Sequence, residues 1–404
     1  MSKSTFFTGQ PIFTQLLNLM DRKSIKALAR VGGYDHYYKS FDTYTHLVTM
    51  LYCSLQKCTS SREVVSGMKA CFHKLIHLGI RKPPARSTLC DANKNRSADV
   101  FGDIYRLLHS NFKHLLPDSQ NMKRSKLFIA DSSTITLFQQ ILKAPSMGKA
   151  NGKRKGGIKV HTLMSAEENV AIKIDFTSAR ANDMTFLQKI HLSKGSFIVF
   201  DKGYVDYAQY QRMSDEGVFF VTRQRKRADY DQTYNCSLKS NSIQSGVLKD
   251  EHIILGTRTH AKKIRLKSRM VTFADKEKGR IFQFLTNNFD LEPEEIADLY
   301  KQRWQIEILF KRVKQNFPLK YFLGDNINAI KIQIWCAFIA DLLIRIIQAQ
   351  LKKKWAFSNL RSIIRIHLMS YINLFRFLNN PDLLKPRPSN PQLEIEGLKI
   401  NFKT

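Results

Sequence analysis

Acidic residues are scarce in this sequence. Its 34 Asp plus Glu stand against 65 Lys plus Arg, a formal charge of +31 over 404 residues. A surplus of that size is tolerated best by a protein that works against a polyanion, and nucleic acid is the partner it implies. A run long enough to cross a bilayer is also missing. The most apolar stretch, IWCAFIADLLI at 334–344, is short, contains Asp341 and is followed by Arg345, so it reads as a buried helix and no membrane partner is expected. The amino terminus, MSKSTFFTGQPIF, has no basic region leading into an apolar run and no small-residue cleavage site, so no secretory signal and a cytoplasmic location are expected. No Cys-x-x-Cys pair occurs among the six cysteines, as suits reduced thiols, and Cys71, His73 and His77 lack a fourth ligand for zinc. No internal repeat is evident. What is present, 43% hydrophobic and 25% charged residues, is enough for two or three globular domains.

The first part of the chain reads as helical. Asp42 or Thr43 can cap a helix reaching about Gln56, and Ser60 with Glu63 forms a capping box for the next, with Val64, Val65, Met68, Cys71 and Leu75 as its apolar positions. After the break GIRKPPAR, Ser87 or Thr88 can cap a short helix, and Val100 to Leu115 reads as another. From Lys126 the period changes. Leu127 to Ala130 is an apolar run ending in Asp131, and the following Ser-Ser-Thr-Ile-Thr alternates like a second strand. A Gly- and Lys-rich loop leads to Ile158–Met164 and Val170–Phe176, which read as a hairpin. A helix over Thr185–Leu192 precedes Phe197–Phe200, a second apolar strand ending in an acid, Asp201. Residues 223–284 are basic and strand-biased, and a sheet with cations at alternating positions would present charge on one face to nucleic acid. A helix at 295–316 and further helices beyond 326 follow, ending in a Pro-containing tail.

The order of elements is that of an α/β, ribonuclease H-like catalytic domain interrupted by a β-rich insertion, with a helical N-terminal domain and a helical C-terminal region. The expected segments are 1–118, a helical DNA-binding domain; 119–222 and 285–325, the two parts of the catalytic domain; 223–284, the insertion; and 326–404, the helical end.

The chemistry centres on three acids. Asp131 and Asp201 each follow a buried run and can emerge into a cleft. On the helix at 295–316, Tyr300, Arg303, Glu307 and Lys314 fall at separations of three, four and seven, within an arc of roughly 60° at roughly 100° per residue. Arg303 and Glu307 also form an ordinary (i, i+4) pair. Trp304, Ile308 and Phe310 are expected to pack this helix on the core. Three clustered carboxylates repel one another and need cations between them, and Mg2+ or Mn2+ is suited to a small set of hard oxygen ligands. Two such ions support in-line phosphodiester displacement, so phosphoryl transfer to water or a sugar hydroxyl is the reaction class indicated.

The helix pattern Tyr300-x2-Arg303-x3-Glu307-x6-Lys314 resembles the signature of bacterial DDE transposases of the insertion-sequence-four family. Asp201-Lys-Gly203-Tyr204 is similar to that family's second acidic motif, and Ile129-Ala-Asp131-Ser-Ser-Thr to its first. The resemblance covers roughly residues 120 to 380. It implies that Asp131, Asp201 and Glu307 are catalytic and hold two metal ions, and that Tyr300, Arg303 and Lys314 grip double-stranded DNA at a transposon end. Lys202, Tyr204, Arg223 and Arg225 are further expected DNA contacts. Members of the family cut through a hairpin and join 3′ ends to target DNA in a homodimeric synaptic complex. Some stack an aromatic residue on a flipped base, for which Tyr230 and Tyr234 are candidates; Trp304 is assigned to packing. His161 could approach the metals, or serve the strand. The alternatives to a transposase are a nuclease on the same fold and a catalytically inactive DNA-binding derivative.

Overall fold

A computed structural model describes residues 9–36, 38, 40–116, 126–136, 157–225, 228, 230–256, 265–275 and 279–381. The Gly- and Lys-rich loop through 156, the basic residues 226–227 and 258–264, and the Pro-containing tail lie outside the described residues.

The amino-terminal part is helical: α1 (Ile12–Leu17), α2 (Arg22–Val31), α3 (Thr43–Gln56), α4 (Ser61–Ala70), α5 (Arg86–Asn95) and α6 (Asp99–Phe112). Asp42 caps α3 by accepting from the Thr45 amide at 2.8 Å, and Ser60 caps α4 by accepting from the Glu63 amide at 3.2 Å. Two expectations change. The helix starting at Ser61 stops at Ala70, and a separate 3₁₀ segment, Phe72–Leu78, carries Leu75. The next helix is capped at Ala85, not at Ser87 or Thr88, because Pro83 and Pro84 hold the chain extended up to it.

Among the described residues nine strands form one sheet: β1 (Leu127–Thr136), β2 (Gly157–Ser165), β3 (Val170–Ser178), β4 (Phe197–Phe200), β5 (Phe219–Arg223), β6 (Tyr230–Asn235), β7 (Val247–Leu255), β8 (Leu266–Asp275) and β9 (Arg280–Thr286). Their order is β3-β2-β1-β4-β5-β9-β8-β7-β6. The centre, β1-β4-β5, is parallel, and antiparallel strands extend it on either side. The 223–284 segment thus continues the central sheet through β9. Its Arg269, read as part of a charged face, is instead buried and held by both carboxylate oxygens of Asp250, at 2.8 and 2.7 Å.

Between the strands lie α7 (Met184–Leu187), α8 (Tyr207–Asp215) and α9 (Ser240–Ser245); α7 is far shorter than the expected Thr185–Leu192 helix. After the sheet come α10 (Pro293–Lys301), α11 (Trp304–Asn316), α12 (Ile327–Gln350), α13 (Phe357–Ile366) and α14 (Leu374–Asn379). The apolar stretch at 334–344 is the middle of α12, buried on all sides, and no described helix is long and apolar enough to cross a membrane. α12 packs against α3, α5 and α6 as well as α13, so the amino- and carboxyl-terminal helices share a core. Asp341 within it receives two bonds from Arg312 of α11, at 2.8 and 2.9 Å, and Arg312 also reaches Asn169 in the β2–β3 turn. That buried pair fixes α11 between the sheet and the helical core.

Candidate active site

Strand register alone brings the first two acids together. Ala130 of β1 lies opposite Phe200 of the parallel β4, so the next residues, Asp131 and Asp201, are neighbours. Val199 lies opposite Val221 of β5, which sets Arg223, two residues on, beside Asp201. The sequence suggested a strand ending at Asp131. Instead β1 runs through it for ten residues, because β2 keeps pairing as far as Thr136 opposite Gly157 after β4 has ended. Asp131 therefore stands mid-strand at the point where one neighbour stops, and this opens its flank.

The third acid arrives on α11. The expected single helix at 295–316 is two, and the hydrogen bonds at the join are of i→i+3 type: Arg303 to the Tyr300 carbonyl, Gln305 to Gln302 and Ile306 to Arg303. Tyr300 lies in the last turn of α10, and Arg303 is the residue at which α11 begins. Ile306, Leu309, Phe310 and Val313 form the buried face. Trp304 and Ile308, expected in the core with Phe310, lie on the other side and are 60% and 48% exposed.

Two arginines engage the three carboxylates. Arg303 donates to Asp131 Oδ2 at 3.0 Å and to Glu307 Oε1 at 2.5 Å. Arg223 donates to Asp201 Oδ1 at 2.5 Å, and the Tyr300 hydroxyl donates to the same oxygen at 3.3 Å. Burial pushes the Asp131 carboxyl up to about 6; the Ser132 amide and Arg303 oppose this, and the charges of Asp201 and Glu307 add to it. Burial acts the same way on Asp201, but the bond and charge of Arg223 outweigh it and hold that carboxyl below the ordinary carboxylate range. Burial raises the Tyr300 phenol to about 12, so it remains a donor. Lys314, its pKa lowered by burial, donates to Ser133 Oγ at 2.7 Å and to the Thr134 carbonyl at 3.0 Å. Alternate residues of β1 share a face, so Asp131 and Ser133 both face α11.

The other expected residues divide. Arg225 is exposed and donates to the Lys202 carbonyl at 3.1 Å, which ties the segment after β5 to the turn after β4. Lys202 is exposed in that turn, whereas Tyr204 is 1% exposed, packed on Phe200, and belongs to the core rather than to a DNA-facing surface. Tyr234 is 59% exposed beside His252; Tyr230 packs partly into the core. His161 pairs with Ser132 in the β1–β2 register and so lies on the sheet face opposite Asp131. There it is buried, stacked on Phe186, and bonded through Nε2 to Thr177 Oγ1 at 2.7 Å. This is the packing role of a strand histidine.

Sequence reasoning missed Asp183. Its carboxylate accepts from Ser132 Oγ at 2.9 Å and pairs with Lys159 at 3.1 Å, bracing the backbone next to Asp131. It sits in the turn after β3, where no local pattern marks it.

Among the described residues no three of His, Cys, Asp and Glu stand close enough together to hold a metal ion. The donor chemistry nonetheless suits a hard divalent cation: three carboxylates stand on adjoining elements, one with a raised proton affinity, and arginine side chains neutralise them.

Residues 123–343 match the family described as Transposase DDE domain, and residues 8–81 match a domain of unknown function. A protein of Sinorhizobium fredii named as transposase y4zB is 31% identical over 65% of this chain and 71% of its own length. A Synechocystis protein named as a transposase for insertion sequence element IS4SA is 24% identical over 78% of this chain and 89% of its own. The cryo-EM structure of the piggyBac transposase synaptic complex with hairpin DNA aligns with 94% of this chain and 82% of that one at 9% identity, with a TM-score of 0.44. With the matched domain spanning more than half of the chain and relatives among bacterial insertion-sequence transposases, the chain belongs to the DDE-domain transposase family.

Proposed function

We propose that the protein is the transposase of an insertion sequence. In this reading it binds the terminal inverted repeats of its element, cuts the DNA ends through a hairpin and joins the 3′ ends to target DNA as a homodimer. The sheet and the helix on it serve as a ribonuclease H-like catalytic domain, extended by the strands of 223–284 and preceded by a DNA-binding helical domain. The observation that carries the proposal is the placement of Asp131 on β1, Asp201 directly after the neighbouring β4 and Glu307 on α11, with Arg303 paired to the first and third and Arg223 to the second.

The three acids would hold two Mg2+ or Mn2+ ions. Bound there, the ions supply activation of the attacking oxygen and stabilisation of the leaving one. The rest falls to the chain. Asp131 yields its proton more readily once a cation adjoins it. Arg303, now spread over two carboxylates, is free to turn its planar fork to a phosphate when those carboxylates are otherwise occupied. Tyr300 keeps the Asp201 carboxylate oriented through its hydroxyl, and Lys314 holds β1 against α11 until a phosphate competes for its ammonium. Arg225 and Lys202 form an exposed basic edge beside the site along which a strand can run.

The test uses purified protein, Mg2+, a pre-cut element end and a circular target plasmid. A joined product is expected, and Glu307→Ala should abolish both cutting and joining while leaving end binding within about threefold, since one carboxylate is lost and no phosphate contact. Cutting without joined product would make the protein a nuclease, and unchanged cutting by the variant would remove Glu307 from the site.

A further inference from the structure

A second basic concavity lies in the amino-terminal helices. Between α2, α3, α4 and the start of α5 is a cleft of about 780 Å³, lined among others by Arg22, Lys69, Arg81, Lys82 and Asp42. The sequence builds its rim. Gly79 ends the 3₁₀ segment with φ +72°, and a Cβ there would lie 2.2 Å from Arg22 Nη1, so glycine lets the chain turn closely over that guanidinium. Pro83 and Pro84 then hold the segment extended, with Arg81 and Lys82 exposed on it. Arg22 is preset: its guanidinium lies 4.7 Å from the Tyr44 ring centre and donates to the Gly79 carbonyl at 3.3 Å.

The charge in this cleft is uncompensated. Among the described residues none of Arg22, Lys69, Arg81 and Lys82 makes an ion pair. The one acid, Asp42, is already engaged by the Thr45 amide at 2.8 Å and by Lys26 at 3.2 Å. α5 also starts at the cleft with Ala85 at its cap, where no side chain accepts from the first-turn amides.

We propose that this cleft, within the domain of unknown function and the segment that follows it, seats the sugar-phosphate backbone of duplex DNA, with Arg22, Lys69, Arg81 and Lys82 meeting phosphates. The proposal rests on the DNA-acting reading above. Four cations from α2, α4 and the extended rim outnumber what a single inorganic phosphate satisfies, and they suit a repeating polyanion. Contacts from these cations to phosphates would fix the position of the duplex.

The experiment measures binding of the full chain to a random-sequence duplex of about 30 base pairs across a salt series, by fluorescence anisotropy, in a Glu307→Ala background that prevents cutting. Lys69→Gln/Arg81→Gln/Lys82→Gln should lower the slope of log K against log salt by about 2.5 and weaken binding about 100-fold at 0.15 M salt. Lys352→Gln/Lys353→Gln/Lys354→Gln removes the same charge at exposed positions elsewhere and should change the slope by less than about one. Equal losses in the two variants, or an unchanged slope in the first, would overturn the proposal. So would an unchanged DNA slope with lost binding to anionic lipid vesicles. The mutated side chains are exposed, and should the triple variant not fold, Lys82→Glu alone reads the same slope. A failure of the catalytic assignment would appear in the cutting assay and leave this slope untouched.

Discussion

Replacing Asp131 by asparagine separates what the site costs in stability from what it does. The Asp131 carboxyl titrates at about 6 because it is buried, with the charges of Asp201 and Glu307 adding to the effect and the Ser132 amide and Arg303 opposing it. An unfolded aspartate titrates near 3.9, so the gap is about two units, or about 3 kcal/mol in favour of the protonated form. The folded protein holds this proton more tightly than the unfolded chain. Its contribution to stability is therefore complete below about pH 4 and is lost as pH rises through about 6. Asparagine has the shape of the protonated acid and never ionises. Asp131→Asn should match the wild type within about 0.5 kcal/mol at pH 4, exceed it by about 2–3 kcal/mol at pH 8, and no longer cut DNA. Urea unfolding at intervals from pH 4 to 8 measures the difference. A variant less stable than the wild type at pH 8 would refute the reasoning, because the 3.0 Å bridge from Arg303 would then outweigh the cost of burying the charge.

Changes at two arginines have further measurable outcomes. Arg223→Ala removes the group that holds the Asp201 carboxyl low against burial, so the acid limb of the cutting profile should move to higher pH; a limb that stays put would detach Arg223 from the titration. Asp201 contributes stability that is present above its unfolded pKa and lost as pH falls through its depressed folded value, so the same variant should lose less stability than the wild type on acidification. Arg312→Ala leaves Asp341 buried and unpaired and should cost about 3–5 kcal/mol in chemical unfolding, whereas Arg312→Met with Asp341→Leu should recover most of it. Equal destabilisation by the single and double changes would show that Arg312 is needed for shape rather than charge.

The legible part of the site was local. Two apolar runs each closing on an aspartate, and a helix with Arg303, Glu307 and Lys314 at helical intervals, can be read from adjacent residues. What could not be read depends on partners far along the chain. Nothing near Asp131 says that β2 goes on pairing after β4 stops, so one strand was taken for two. Nothing near Arg223 says that a parallel register will set it against Asp201. On α11 the buried face is Ile306, Leu309, Phe310 and Val313, a plain i, i+3, i+4, i+7 set; grouping Trp304 and Ile308 with Phe310 confused two sides of one helix. The amino- and carboxyl-terminal helices looked separate because their shared core forms only when α12 packs on α3 and α6.

Repulsion among the three acids calls for a cation between them, and the chain answers it with its own side chains. Arg303 and Arg223 occupy the positions that charge balance demands, Arg303 through bonds to Asp131 and Glu307 and Arg223 through one to Asp201. A lysine's point charge would neutralise as well, but a guanidinium can bridge two carboxylates and later fork onto a phosphate. The cost of the arrangement falls on Asp131, whose raised proton affinity shows that one arginine shared between two acids does not fully compensate a buried charge. That residual deficit is what a divalent cation would relieve, so a metal-dependent gain in stability should depend on Asp131 and vanish in Asp131→Asn.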